Sequence, residues 1–250
     1  MRRIIGGAII VALCFSCSRQ HYVIKSMDAQ RYPLVATQYE GKAPEMSAMV
    51  AGYKVLLDKE MGQVIGTSDQ DMSYGRPESL LTNLTSDVMQ AYGEKATGGN
   101  CDFASVNVYG HRANLGKGNI TVGNIFEIYP FENTLVLIKL KGSDLQEAFE
   151  SYAKIGGAGI SSTAHLVIKD DKLVSATVKG KPVDPNKIYT IMTLDYLADG
   201  NDGMEAFAKA VEVIEPGITL RDAMMDYVKQ QTAAGKPVSS VLDGRITIEK

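Results

Sequence analysis

Between residues 165 and 183 the chain reads HLVIKDDKLVSATVKGKPV, with apolar and polar residues alternating on either side of Asp170-Asp171 and a second turn near Gly180. Period-two alternation is the pattern of a half-buried strand, and aspartates tolerate tight-turn backbone, so this stretch predicts a hairpin. Strands joined this tightly pair antiparallel, which sets a limit on the fold: it cannot be built only from parallel strands with helical crossovers. Further strands are predicted at Gln63 to Thr67, from Asp102 into a turn at Gly110, at Thr134 to Leu140, at Lys187 to Leu194 and, as an edge, at Arg245 to Glu249. The run from Thr134 is continuously apolar and predicts burial on both faces.

Helical spacing appears between these strands. Met46, Met49, Val50, Tyr53, Leu56 and Leu57 recur at helical intervals over Glu45 to Met61, with Pro44 before them and Gly62 after. In GRPESLLTNLTSDVMQAYG, Pro77 suits the first helical position, Leu80, Leu81, Leu84, Val88 and Met89 form a stripe, and Gly93 is expected to end the helix. Arg76 then falls at a helix start, where a cation opposes the macrodipole, so it is either an anion-binding residue or a solvated one. Thr121 is read as the cap of a short helix stopped by Pro130. Ser143 with Gln146 forms a capping-box pattern ahead of Leu145, Phe149 and Tyr152, broken by the GGAG at 156–159. Two more helices are expected at Met204 to Val213 and Leu220 to Gln231, the second with Thr219 and Asp222 at its start. Adjacent strand pairs mixed with strand–helix alternation predict an α+β domain, a mixed sheet with packed helices.

The N-terminus, MRRIIGGAIIVALCFSCSRQ, has two arginines, twelve mostly apolar residues from Ile4 to Phe15, and small residues around Ser16 and Cys17. That run is shorter than the roughly 20 residues a membrane-spanning helix needs, and it has the layout of a secretory signal. Cys17 resembles the lipidated cysteine of bacterial lipoproteins, although Cys14 stands where leucine is usual; cleavage after Ser16 is the alternative. The expected organisation is a signal over 1–17 with Cys17 as lipidation site, a tether over 18–40 and one domain over 41–250. Such a chain would work outside the cytoplasm, anchored to a membrane by lipid. Cleavage and lipidation would leave Cys101 alone, so packing rather than a disulfide must hold the fold.

Charge and motifs exclude several chemistries. The 250 residues carry a net charge of −3 with no basic block, which argues against a nucleic-acid polymer as partner. Only three histidines are present, and no H-E-x-x-H, D-x-H or N-H-E/D motif occurs, so neither a metal site nor a catalytic residue is expected in this chain. No G-x-S-x-G, P-loop or G-x-G-x-x-G is completed.

Four ordered stretches resemble the C-terminal domain of the 5′-nucleotidase family, which includes ecto-5′-nucleotidases and periplasmic UDP-sugar hydrolases. ESLLTNLTSDVM at 78–89 is similar to the family's E-x-N-x-G-N-L-x-x-D-A-M helix, and NVYGHR at 107–112 to its N-G-G-x-I-R. GNITVGNIFEIYPFEN at 118–133 resembles G-x-I-T-x-G-x-I-x-x-x-x-P-F-x-N, with LKGSDL fitting the next junction, and YTIMTLDYLADGNDGM at 189–204 resembles Y-x-V-x-T-x-x-F-L-x-x-G-G-D-G-Y/F. The resemblance implies a nucleotide site. In it Arg112 contacts phosphate with Asn107 at the same edge, Phe131 and Tyr196 sandwich the base, Asn133 hydrogen-bonds near it, and Asp202 accepts from ribose hydroxyls. For Phe131 and Tyr196 core packing is the alternative, and for Asp202 the cap of a following helix. Arg76 lies one residue from where a family arginine falls.

There are departures as well. Tyr196 stands for phenylalanine, Asn201 for glycine and Met204 for an aromatic, while Val108, Tyr109 and His111 replace small and aliphatic residues and are expected to crowd the phosphate. The family's metal-binding domain does not fit in the residues before the domain. The resemblance therefore implies a recognition half needing no cofactor of its own, acting on nucleotides with a separate metallophosphatase that holds divalent metals. The alternative is a non-catalytic nucleotide- or nucleoside-binding surface lipoprotein.

Overall fold

The computed structural model describes residues 24–33 and 43–249. The expected signal, Cys17 and most of the tether lie outside them. The chain forms two compact units, Met1–Val50 and Ala51–Lys250. In the first, residues 24–33 have no regular structure and helix α1 begins at Pro44. Helix α1 runs over Pro44–Met61 and buries none of its side chains.

After α1 come β1 (Val64–Ser68), α2 (Leu80–Thr97), β2 (Phe103–Val106), β3 (Gly118–Thr121), α3 (Val122–Ile128), β4 (Leu135–Lys141) and α4 (Gly142–Lys154). Then follow β5 (Gly159–Ile160), β6 (Ala164–Lys169), β7 (Lys172–Val178), β8 (Lys181–Pro182), β9 (Ile188–Leu194) and α5 (Asp195–Ala198), with β10 (Glu212–Ile214), α6 (Leu220–Ala233) and β11 (Ile246–Glu249) closing the chain. The architecture is α+β. The central sheet has the order β10-β4-β9-β2-β5, in which only β9 and β2 run parallel. A second sheet, β11-β6-β7-β8, contains the hairpin, and β11 joins β6 in parallel as its edge. The hairpin turns on Asp170 and Asp171, both left-handed at φ 50° and 57°, the geometry its sequence predicts.

Leu135 to Ile138 are buried in succession, so β4 is covered on both faces, and β9 is buried from Ile191 to Leu194. Helix α2 packs on β2, β5 and β9. At Gly93 an added Cβ would lie 2.7 Å from the Cys101 sulfur, so this glycine permits close packing and does not end the helix, which runs on to a left-handed Gly98.

Three further expectations are corrected. Helix α2 starts at Leu80 behind Ser79, not at Pro77, so Arg76 lies before the helix in an irregular segment. Ser143 forms no capping box: the helix begins at Gly142, whose N–H donates to Lys187 O at 2.8 Å while that of Ser143 donates to Pro185 O at 3.1 Å. The neighbouring loop thus satisfies donors that a cap would otherwise take. Residues 204–213 are not a helix, because Glu212–Ile214 pairs with Ile138 and its neighbours as an edge strand, leaving only a 3₁₀ turn at Phe207–Lys209. The apolar residues there serve two elements of different period.

Candidate functional site

The central sheet assembles the site. β2 and β9 are parallel and β4 is antiparallel to β9, so the segments leaving β2 and β9 and the one entering β4 emerge side by side at one end. They enclose a cleft of about 530 Å³, with Asn107, Tyr109 and Arg112 from the first, Tyr196 and Asp202 from the second, and Phe131, Glu132 and Asn133 from the third. A smaller cavity of about 220 Å³ lies beside it, sharing Asn107, Tyr109 and Asp202. Arg76 lines this neighbour, whose walls also include Tyr152, Leu197 and Met204. Six of the seven residues singled out from sequence therefore share one cleft, and Arg76 stands next door.

In the segment after β2, Val108 and His111 turn into the core, so they do not crowd the cleft; only Tyr109 reaches it. His111 Nδ1 donates to Val108 O at 2.9 Å, and Nε2 lies 2.8 Å from the Thr85 hydroxyl, which also meets Tyr129 Oη. Burial lowers the His111 pKa to about 4, against weaker opposition from hydrogen bonds to the Val108 and Asn107 backbone, so the ring is neutral near pH 7. Arg76 Nε donates to Gly157 O at 2.8 Å, and its guanidinium lies 4.8 Å above the Tyr109 ring. Arg112 is exposed, and its guanidinium is 5.7 Å from the Phe131 ring centroid. Among the described residues no carboxylate is within ion-pair distance of it, which leaves its fork of donors free for an anion.

Phe131 is 48% exposed and Tyr196 39%, so neither ring is core. Between them Asp195 acts as an anchor that sequence reading missed. Its carboxylate accepts from Asn133 Nδ2 at 3.1 Å, Thr134 Oγ1 at 3.0 Å and the Tyr196 N–H at 2.7 Å. Burial alone would raise this carboxyl, but those hydrogen bonds outweigh it and hold its pKa below the usual value. The one sequence signal for it was an acidic residue immediately after an apolar strand.

Asp202 is a left-handed residue at φ 54° in a 3₁₀ turn with no helix behind it, so it caps nothing. Its carboxylate accepts from Asn107 Nδ2 at 2.8 Å and Tyr196 Oη at 3.2 Å, joining two walls of the cleft. The Asp202 charge pushes the Tyr196 phenol pKa up. Asn201, which replaces a glycine, donates to Tyr196 O at 2.8 Å and fastens the turn; Met204 is buried in the wall of the smaller cavity. Among the described residues no group of three or more His, Cys, Asp or Glu could hold a metal ion. Cys101 is buried, and burial raises its thiol pKa to about 11. Two half-exposed rings, an exposed guanidinium and a carboxylate make this cleft a place to bind a ligand with aromatic, hydroxyl and anionic parts.

The sequence pattern described as "5′-nucleotidase, C-terminal domain" matches residues 64–209. The protein UshA of Yersinia enterocolitica is 28% identical over 217 residues, which cover 84% of this chain and 38% of that protein. The cell wall protein Lmo0130 of Listeria monocytogenes is 28% identical, with 80% of this chain and 29% of the relative covered. This chain thus spans little more than a third of the first relative's length and less of the second. Among solved structures, a 5′-nucleotidase precursor from Thermus thermophilus superposes with a TM-score of 0.71 at 28% identity, covering 81% of this chain and 42% of that one.

Proposed function

Because this chain belongs to the 5′-nucleotidase C-terminal domain family, we propose that it recognises nucleotides for a 5′-nucleotidase-type hydrolase whose two-metal phosphatase is a separate chain. The observation that carries the reading is the pair of half-exposed rings, Phe131 and Tyr196, sharing one cleft with the exposed guanidinium of Arg112. The rings stack the base, which aromatic faces do with little regard to its identity. Arg112 takes the phosphate, and Asp202 with Asn107 takes the ribose hydroxyls. Asn133, held by Asp195, supplies a polar contact beside the base. Arg76 contacts an anionic part of the ligand from the neighbouring cavity.

The divalent metals and the nucleophilic water belong to the partner. The relative named as a cell wall protein supports an extracytoplasmic setting. The arginines, apolar run and Cys17 of the N-terminal sequence support a lipid anchor there. Among the described residues no helix is long and apolar enough to cross a membrane.

Calorimetry with AMP, adenosine and a UDP-sugar tests the recognition role. AMP is expected to bind, and Arg112→Ala to weaken AMP roughly tenfold or more, the loss of a hydrogen bond to a charged group, while adenosine changes little. Absence of heat with every ligand overturns the reading, as does efficient AMP hydrolysis by the pure chain in EDTA. A pull-down from the native host that recovers a metallophosphatase supports the two-chain arrangement; recovery of none, with binding intact, favours a surface nucleotide-binding protein.

A further inference from the structure

The ring of Phe131 stands on a turn that makes few contacts of its own, since Pro130, Phe131 and Glu132 are all exposed. We propose that Arg221, in the first turn of α6, is a positioning residue that sets where this ring stands in the cleft. Its consequence for binding rests on the nucleotide reading above; the geometry does not.

Arg221 is 6% exposed. Its Nη1 donates to the carbonyls of Tyr129 at 3.3 Å and Pro130 at 3.4 Å, and its Nη2 pairs with the Glu132 carboxylate. The guanidinium plane rests on Phe126 at 4.2 Å from the ring centroid. One side chain thus grips the residues on both sides of Phe131. The backbone ties the same turn to the start of α6 through an antiparallel bridge: Leu220 N donates to Asn133 O and Leu135 N to Ile218 O, each at 2.9 Å.

The choice of residue follows from its acceptors. Tyr129 is the C-cap of α3, where carbonyls without helical partners favour a cation. Two carbonyls and a carboxylate in different directions suit a guanidinium fork, which the single ammonium of lysine does not reproduce. An arginine at the start of α6 is unfavourable for α6 itself, because it opposes that helix's dipole. Its position is explained by the turn it holds.

The chain contains no tryptophan, so Phe131→Trp introduces a single indole at the ring in question. In the ligand-free full chain, Arg221→Met is expected to lower the anisotropy of that indole and to increase its quenching by acrylamide. Arg221→Lys should do the same to a lesser degree, and it stands in if Arg221→Met does not fold, as judged by a cooperative melt. With Phe131 restored, either variant should weaken AMP by about tenfold, through lost preorganisation. Unchanged anisotropy and quenching in a folded Arg221 variant overturns the proposal. If the indole loosens but the unsubstituted protein binds no AMP, the positioning role stands and the nucleotide reading falls.

Discussion

Asp202 adopts left-handed backbone that most residues avoid and aspartate tolerates, and there its carboxylate receives Asn107 and Tyr196 from two walls of the cleft. Asp202→Ala is expected to weaken adenosine by about tenfold to a hundredfold, as charge-assisted hydrogen bonds are lost. Although the residue is exposed, alanine in this left-handed position should also cost about 1 kcal/mol of stability. Calorimetry and urea unfolding on the same samples measure both; an unchanged affinity removes Asp202 from the site. That Asp202 and Asn107 share one site was legible only through family resemblance, since they lie 95 residues apart, and the resemblance put Asn107 at the phosphate edge rather than on Asp202. The Asp195 anchor was not legible at all, because a carboxylate beside a strand gives no sign of which amide will reach it.

At the scale of elements, the C-terminal strand is held by one buried arginine. Arg245, 1% exposed, donates to Asp243 through Nε and Nη2 at 2.8 Å each, and to Asp87 through Nη1 at 3.0 Å and Nη2 at 3.1 Å. Glu78 accepts from the N–H groups of Asp243 and Gly244 and from Asn83. The Glu78, Asn83 and Asp87 of the helix motif thus fasten the chain's end and line no part of the cleft. Arg245→Met should cost about 3 kcal/mol of stability, the lower part of the range for breaking a buried pair, because Asp87 and Asp243 keep partial solvent access. A fall in urea midpoint without loss of nucleotide affinity is the expected signature; no fall contradicts the role. The hairpin was readable because its turn residues and its period agree. Residues 204–213 were misread because one apolar run feeds a 3₁₀ turn and then an edge strand, a division decided by pairing with β4.

For the whole molecule, acid sensitivity should come partly from His111. Its unfolded pKa near 6.5 falls to about 4 in the fold, chiefly through burial. Between those values the unfolded chain binds more protons, so stability is complete above pH 6.5 and declines as pH falls toward 4. At about 1.4 kcal/mol per pKa unit the loss is roughly 3 kcal/mol. Urea unfolding from pH 7 to 4 should therefore show a shallower decline for His111→Gln than for the parent; parallel slopes would count against it. Set beneath the cleft, this neutral ring belongs to the support of the site. The cleft walls themselves stand on β4, β9 and β2, neighbours about 4.8 Å apart in the ladder direction. The roots of the three cleft-forming segments therefore have a gauge fixed by hydrogen bonding in the sheet. What the turns above them decide is how far each ring and charged group reaches across that fixed span.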